Sequence, residues 1–416
     1  MANALITNAM IAKEAIRLSL NKNAFLQNLN RQYDESFART GAKAGQSIRI
    51  RLPVDYTLRT GPTAIVQNTI EQVVNLTVAN QFGVDMSFSM VDRTMSLDRF
   101  SDRYIKPAIN TTVGGQAVSV MAQAEGGVSG WSANQDPITG AILSPNAKAW
   151  LNAKAEMENN SVPSDDYKIV MSPNTQANTV DSLKGLFNSQ PTVAKQYDNG
   201  EMVRALGFDW MSDQTVLLHT TGAYANAPAY TDGLGFACTT VSGAAQTGTS
   251  LTVAALAGPL AKGDIIRIAG VQMVNSITKS PTGRSRTFTV TAAVAAGATV
   301  IPIYPAITGV DGGGNTVQYQ TVNASPANAA QVYVVSAPSS QYRKNLAFVP
   351  EAITLAAVDL ELPPNVDAAR EVFDEISIRI VTQFQIMSDQ LVTRLDLLSG
   401  SAFLKPEWCV CVPDVP

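Results

Sequence analysis

The sequence changes character after Gly222, where alanine, glycine, threonine, serine and valine dominate and charged residues become rare. Short alternating apolar segments recur there, separated by turn signals such as Lys262-Gly263-Asp264. They predict strands at Leu251–Val253, Ile266–Ile268, Phe288–Val290, Val300–Ile303 and Val332–Val335. Short strands at such intervals predict a small all-β barrel or sandwich over residues 226–344.

Mixed patterns flank this β segment on both sides. Before it, helical periodicity at 147–159 and 176–187 alternates with strand-like runs at 167–171 and 215–219. After it, extended segments resume, including an alternating strand at Ile376–Ile380. Because the mixed pattern stops and then starts again, the β segment is best interpreted as an insertion into a host domain of the α+β class.

A long helix is predicted between Ser96, a capping residue, and Glu125, because apolar residues recur there every three to four positions. A continuous helix over this range would be about 43 Å long. Pro107 and Gly114-Gly115 are expected to bend it, and Gly126-Gly127 are expected to end it.

The N-terminal part of the chain predicts an arm followed by a projecting loop. Residues 8–37 have the periodicity of two short amphipathic helices, which are too polar to form a core alone. Alternation at Gln46–Pro53 and Val74–Val78 predicts two strands. The segment between them has few large apolar residues, and an isolated hairpin is only marginally stable in water. We therefore expect this loop to rest on a neighbouring molecule, with contacts from Arg59, Thr60, Pro62 and Ile65.

Charge and composition exclude several classes of protein. The 30 Lys and Arg residues against 34 Asp and Glu residues give a net charge of −4, without the basic clusters that general DNA binding requires. Only 15% of residues are charged, compared with roughly 25% in average domains. No apolar run approaches the ~18 residues of a membrane span, and the N-terminus has a helical pattern rather than that of a signal peptide.

The sequence offers little catalytic or metal chemistry. Phosphate loops, nucleophile elbows and metal-ligand spacings are absent. His219 is the single histidine, and its neighbours Ser212 and Asp213 are too close in sequence to converge on it as a triad. We therefore expect a protein that is not an enzyme, with no cofactor or metal and with no chemical role for His219. The three cysteines are expected to be reduced and structural: Cys238, Cys409 and Cys411.

Lys279, Arg284 and Arg286 form the most suggestive charged feature, spaced around Pro281 and Gly283. One interpretation is an exposed loop of the inserted domain that pairs with acidic groups on a neighbouring subunit. The alternative is an ordinary solvated hairpin tip.

Several segments resemble the major coat proteins of tailed double-stranded-DNA phages, in the branch of the Salmonella short-tailed phage coat protein. Their order and spacing carry the resemblance: Lys13–Leu18, Asn28–Tyr33, Gly45–Pro53, Asn345–Phe348, Ala352–Ala356, Arg394–Gly400 and Lys405–Glu407. Within the β segment, Lys262–Val271 is similar to a strand pair of that family's inserted domain. The acidic loop that some relatives carry early in this domain is shortened here to Val241–Thr249.

The resemblance implies a tailed-phage major capsid fold with an inserted β-barrel domain. It divides the chain into an N-terminal arm (1–45), an extended loop with flanking strands (46–94), a peripheral domain with a spine helix (95–145 and 362–400), an axial domain (146–225, 345–361 and 401–416) and the insertion (226–344).

The implied function is self-assembly into the icosahedral shell of a virion, formed in the host cytoplasm from pentamers and hexamers. A scaffolding protein and a portal protein are the implied partners, and the shell encloses DNA without sequence-specific binding. Two other classes remain open at this point, a cellular encapsulating shell of the same fold and an unconventional hydrolase.

Overall fold

The computed structural model describes residues 7–20, 24–31, 47–59, 61–62, 66–68, 70–89, 101–163, 165–183, 204–224, 229–364, 366–373, 376–387 and 390–416. The helices of these ranges are α1 (Asn8–Leu20), α2 (Ala24–Gln27), α3 (Lys106–Gly127), α4 (Ala147–Asn159) and α5 (Pro173–Leu183). A π-helical turn precedes α3, and two short 3₁₀ helices follow later in the chain: Ser101–Ile105, Pro350–Ala352 and Pro406–Trp408. Among the helices described, none is long and apolar enough to cross a membrane.

The strands before residue 260 are β1 (Ser47–Arg51), β2 (Val73–Thr77), β3 (Asn80–Ser89), β4 (Gly130–Trp131), β5 (Asn134–Gln135), β6 (Ile142–Leu143), β7 (Lys168–Met171), β8 (Arg204–Ala205), β9 (Phe208–Ser212), β10 (Leu218–Thr220), β11 (Tyr230–Thr231), β12 (Gly235–Thr240) and β13 (Gly248–Thr252). The later strands are β14 (Ile265–Val274), β15 (Pro281–Val290), β16 (Val300–Ile307), β17 (Gln331–Val334), β18 (Gln341–Phe348), β19 (Ile353–Val358), β20 (Asp367–Phe373), β21 (Ile376–Gln385), β22 (Gln390–Phe403) and β23 (Val410–Asp414).

The chain divides into two compact units. The first contains residues 1–52, 73–120 and 353–404, and the second contains residues 53–72, 121–352 and 405–416. The division falls within α3, and residues 226–344, predicted to be an insertion, lie inside the second unit without being separated from its other residues. The five-part division given above stays a proposal.

The first unit is built on a five-stranded sheet in the order β19-β22-β21-β20, with β3 also paired to β22. Helix α1 lies on β20 and β21 and turns the buried side chains Ile11, Ala12 and Ala15 inward. At its start the buried Asn8 donates to the carbonyl of Asp367 (2.9 Å) and accepts from the hydroxyl of Thr382 (3.2 Å). The arm helix is thus fixed to its own unit by both apolar and polar contacts.

Strands β1 and β2 pair antiparallel, with Ile48 opposite Leu76 and Ile50 opposite Val74. The alternation that predicted them reflects burial, since their inward side chains pack against Val358, Leu398 and other residues of β19 and β22. Both strands are therefore confirmed at nearly the expected positions.

The second unit contains a seven-stranded sheet in the order β4-β23-β18-β7-β9-β8, with β10 also paired to β18. Strands β7 and β9 run parallel, as do β23 and β4, whereas the other pairs are antiparallel. Helix α4 places the fully buried Trp150 edge-on against Trp210 of β9, with ring centroids 4.9 Å apart. This arrangement confirms the predicted mixture of helices and strands.

The β segment of the second unit forms a separate antiparallel sheet in the order β11-β12-β17-β14-β15-β16-β13. Its ends approach each other, because the Ser242 N–H donates to the Thr252 carbonyl (3.0 Å) and the Ala254 N–H donates to the Thr240 carbonyl (2.8 Å). These bonds link the end of β12 to β13 and so close the sheet. The β segment has a separate apolar core, which includes Phe288. All five strands predicted in this segment are confirmed.

Other predicted elements differ at their ends. The predicted helix at 147–159 is confirmed as α4, and the long helix ends at Gly127 as expected. Its predicted start at residues 96–100, the end of the arm at 32–37 and Phe187 lie outside the described residues. The strand expected at 215–219 starts only at Leu218, because the Asp213 carboxylate accepts the Thr215 N–H (2.8 Å) and holds that segment in a turn.

Candidate functional site

The extended loop at residues 53–72 presents apolar side chains to its surroundings. Four of them are more than half exposed: Tyr56 (58%), Leu58 (89%), Val66 (89%) and Ile70 (57%). The loop nevertheless has a defined shape, because the Gln67 side chain donates to the Thr57 carbonyl (2.7 Å) and accepts the Thr57 N–H (3.0 Å). A shaped loop with exposed apolar side chains is typical of a contact surface for another protein.

Three side chains from the β segment hold both sides of this loop. The Lys279 ammonium lies 3.6 Å from the Asp55 carboxylate, and the Gln318 side chain donates to the Asp55 carbonyl. On the other side, the Tyr319 hydroxyl donates to the Ile70 carbonyl (2.6 Å). The β segment therefore positions the loop, and the apolar side chains of the loop remain uncovered.

The residues predicted to contact a neighbour from the loop are placed only in part. Arg59 and Pro62 are exposed, whereas Thr60 and Ile65 lie outside the described residues. Sequence reasoning missed Leu58 and Val66. Both are large apolar residues in a segment that has too few of them to form a core of its own, and this pattern could have predicted that they contact another molecule.

The basic cluster differs from its prediction. Lys279 and Arg286 are each only 5% exposed, so the expectation of an exposed hairpin tip is wrong for both. Arg284 and Arg286 point to one face of β15, since they are two residues apart. On that face Arg284 donates to the Asn152 side chain (2.8 Å) and Arg286 donates to the Glu407 carboxylate (3.3 Å). A contact of the cluster with a neighbouring subunit stays a prediction.

His219 is buried between two carboxylates, an arrangement that the sequence did not reveal. The ring is 2% exposed, with Nδ1 2.9 Å from Glu125 Oε1 and Nε2 2.9 Å from Asp264 Oδ1. Glu125 lies near the end of α3, His219 on β10 and Asp264 directly before β14. One imidazole therefore joins three segments of the second unit.

The turn before β14 lies close to the end of α3. Asp264 is fully buried, and its second carboxylate oxygen accepts the N–H groups of Ala261 (2.8 Å) and Gly222 (3.2 Å). Gly263 has a φ of +89°, and a β-carbon there would lie 2.8 Å from the Glu125 carbonyl oxygen. Only glycine meets both demands at this position.

The geometry of the cluster defines what it can do. The ring donates to both carboxylates only as an imidazolium, because a neutral imidazole has a single N–H. The two carboxylates lie against opposite ring nitrogens and so cannot converge on one ion. Among the described residues, no group of three or more His, Cys, Asp and Glu side chains has a geometry that could hold a metal ion. Since the ring is also closed to solvent, the arrangement is structural.

Two neighbouring groups have shifted pKa values. The hydrogen bond from His219 holds the pKa of Glu125 below its ordinary value of 4.5, against the opposing effect of burial. Burial lowers the pKa of Lys344, whose ammonium donates to the Gly263 carbonyl (2.6 Å).

We expect His219→Ala to destabilise the second unit by about 3 kcal/mol, because Glu125 and the buried Asp264 would each lose a hydrogen-bond partner and the ring would leave a cavity. Urea unfolding of the monomer measures this loss. The matched control is Thr220→Ala, an exposed neighbour on β10, with an expected change within about 0.5 kcal/mol. Equal stability of both variants would contradict the structural role of the imidazole.

The lowered pKa of Glu125 predicts a pH dependence with a definite sign. A carboxyl group whose pKa is depressed by folding stabilises the folded state above its unfolded pKa, and the contribution disappears as the pH falls through the folded value. The stability difference between the native chain and Glu125→Gln should therefore be largest above pH 4.5 and shrink below it. Urea midpoints across pH 3 to 7 test this, and a difference that grows on acidification would refute it.

Comparison with known proteins decides the family. The sequence profile described as "P22 coat protein - gene protein 5" matches residues 30–412, which is nearly the whole chain. The chain belongs to the P22 coat protein family. Its fold is that of tailed-phage major capsid proteins. As a family member, it is a major capsid protein whose copies form the shell of the virion.

Solved structures similar to this chain come from several sources. A structure from Mycobacterium phage Che8 is 9% identical and covers 94% of this chain and 90% of its own, with a TM-score of 0.45. A virus-like particle from Pyrococcus furiosus is 7% identical over 97% of both chains, with a TM-score of 0.40. The capsid of Helicobacter pylori bacteriophage KHP30 is 7% identical and covers 94% of this chain and 91% of its own, with a TM-score of 0.41. No curated protein sequence matches.

Proposed function

We propose that copies of this chain form the pentamers and hexamers of an icosahedral shell that encloses the packaged double-stranded DNA of a tailed phage. A scaffolding protein and a portal protein are its proposed partners. The observation that supports this most directly is the extended loop, which the β segment holds at Asp55 and Ile70 and which carries uncovered apolar side chains.

The exposed side chains of the loop provide the driving force for subunit contact. Burying a large aliphatic side chain contributes about 1.5–3 kcal/mol, so covering Leu58 and Val66 on a neighbour offsets part of the entropy lost on association. In a closed shell each subunit donates one loop and receives another. Modest contacts are then multiplied over many copies.

The charge of the chain suits a container for DNA. With 34 acidic and 30 basic residues, it carries no general attraction for the phosphate backbone. Lys279 and Arg286 have acidic partners within the chain, namely Asp55 and Glu407. We propose that the shell confines DNA without sequence-specific binding.

The proposal includes no catalytic activity. Members of the family are structural coat proteins. The hydrolase alternative would need turnover that depends on His219, a residue that is 2% exposed and engaged at both ring nitrogens. In the cellular-shell alternative the particle would enclose protein cargo instead of phage DNA. Particles filled with protein cargo in uninfected cells would favour it.

We expect the double variant Leu58→Asp/Val66→Asp to fold normally and to fail in assembly. Both side chains are 89% exposed, so a carboxylate at either position leaves the monomer unstrained. In a subunit contact the same carboxylates would be buried without partners. Thermal unfolding of the monomer and negative-stain microscopy of co-expression with a scaffolding protein measure the two effects.

The control variant Leu58→Met/Val66→Ile keeps the apolar surface and should assemble like the native chain. Normal shells from the aspartate variant would exclude the loop as a subunit contact. An unfolded aspartate monomer would show that the loop belongs to the subunit core.

A further inference from the structure

Two hairpin turns of the second unit have the same construction, one between β5 and β6 and one between β14 and β15. In the first, the Asp136 carboxylate accepts the N–H groups of Ile138 (2.8 Å) and Thr139 (3.4 Å). The Asp136 backbone N–H donates to the Ala141 carbonyl (3.0 Å), and the Asp136 carbonyl accepts the Gly140 N–H (2.9 Å). Side-chain bonds of this kind close a turn and fix its backbone.

The second turn repeats each of these bonds. The Asn275 side-chain oxygen accepts the N–H groups of Ile277 (2.9 Å) and Thr278 (3.0 Å). The Asn275 backbone N–H donates to the Ser280 carbonyl (2.9 Å), and the Asn275 carbonyl accepts the Lys279 N–H (2.9 Å). The two turns therefore share one hydrogen-bond pattern, with an isoleucine and a threonine at corresponding positions.

The isoleucine of each turn is exposed to solvent. Ile138 is 83% exposed and Ile277 is 72% exposed. Closing the turn does not require an isoleucine, because glycine and small polar residues dominate turns. In a third turn of this unit, the Asp311 carboxylate accepts the N–H groups of Gly313 (2.8 Å) and Asn315 (2.7 Å), and glycine stands where the other two turns have isoleucine. A role within the turn therefore does not explain either isoleucine.

Both turns lie against other parts of the second unit. Gly140 has a φ of +67°, and a β-carbon there would lie 2.3 Å from the ring of Tyr230. In the other turn, the Ser276 N–H donates to the Asn159 carbonyl (3.3 Å) at the end of α4. The isoleucines are thus presented by backbones that are already fixed, so covering them costs little conformational entropy.

The second turn adjoins the extended loop. Lys279, two residues after Ile277, places its ammonium 3.6 Å from the Asp55 carboxylate of the loop. The exposed isoleucine of this turn therefore lies near a surface that is itself proposed to contact a neighbouring copy, through Leu58 and Val66.

We propose that Ile138 and Ile277 are contact points for neighbouring copies of this chain, and that the copy that receives the extended loop also covers Ile277. A second copy is the partner that the family supplies, since the chain is a shell subunit. Two separate contact points suit a closed shell, in which each subunit has neighbours on more than one side. The inference rests on the proposed function, because it adds two contacts to the same assembly.

Assembly of purified subunits with a scaffolding protein tests the proposal, and light scattering measures the subunit concentration at half-assembly. We expect Ile138→Asn/Ile277→Asn to raise this concentration about tenfold or more, because two apolar side chains no longer become buried. The variant monomer should unfold at the native temperature, since both positions are exposed and asparagine is favoured in turns. The control Ile138→Leu/Ile277→Leu keeps the apolar area and should assemble like the native chain.

Maleimide labelling of the single variants Ile138→Cys and Ile277→Cys shows directly whether the two positions become covered. We expect labelling to slow in shells freed of scaffolding protein, relative to the free subunit, and the native chain with its three cysteines gives the background. Unchanged labelling at both positions, or native assembly of the asparagine variant, would overturn the inference while native shells still support the proposed function. Protection only while the scaffolding protein is present would assign the turns to that protein and also overturn it. A native chain that forms no shells would refute the proposed function and this inference with it.

Discussion

One buried imidazole connects three segments of the second unit. His219 connects the end of α3 to the turn that starts β14, through Glu125 and Asp264, each at 2.9 Å. Asp264 lies in the β segment, whereas His219 and Glu125 lie outside it, so the cluster attaches the β segment to β10 and α3. A cluster of hydrogen bonds suits this task because hydrogen bonds are directional, whereas apolar contacts are not.

The attachment has a consequence for the extended loop. Lys279, Gln318 and Tyr319, which hold the loop, all come from the β segment. The β segment, which contacts His219 through Asp264, therefore determines where the apolar side chains of the loop are presented. The low fraction of charged residues, 15%, suits a subunit that buries much of its surface against copies of itself.

Periodicity predicted the elements whose burial alternates regularly. Helix α4 and the strands β16 and β17 have one buried face and are bounded by clear turn signals. The long strand β22 was not predicted, because it is buried on both faces over its second half and lacks alternation there. The capsid fold was predicted from the family resemblance, which depends on the order of the segments and not on their periodicity.

The candidate site was less predictable. His219 lies 94 residues from Glu125 and 45 residues from Asp264, and no local pattern reports such a contact. An exposed hairpin tip was predicted for the basic residues around Gly283, because the sequence does not show that Asp55 and Glu407 lie beside them. A charged side chain is buried where the fold supplies an oppositely charged partner, and that partner can be distant in sequence. A single sequence does not show which distant residues become partners.

The central claim is that the extended loop joins subunits of a closed shell. Electron microscopy of assembled particles, at a resolution that shows side chains, tests it directly. The account predicts a closed shell in which Leu58 and Val66 are buried against a neighbouring subunit. A closed shell in which both side chains remain exposed to solvent would contradict it.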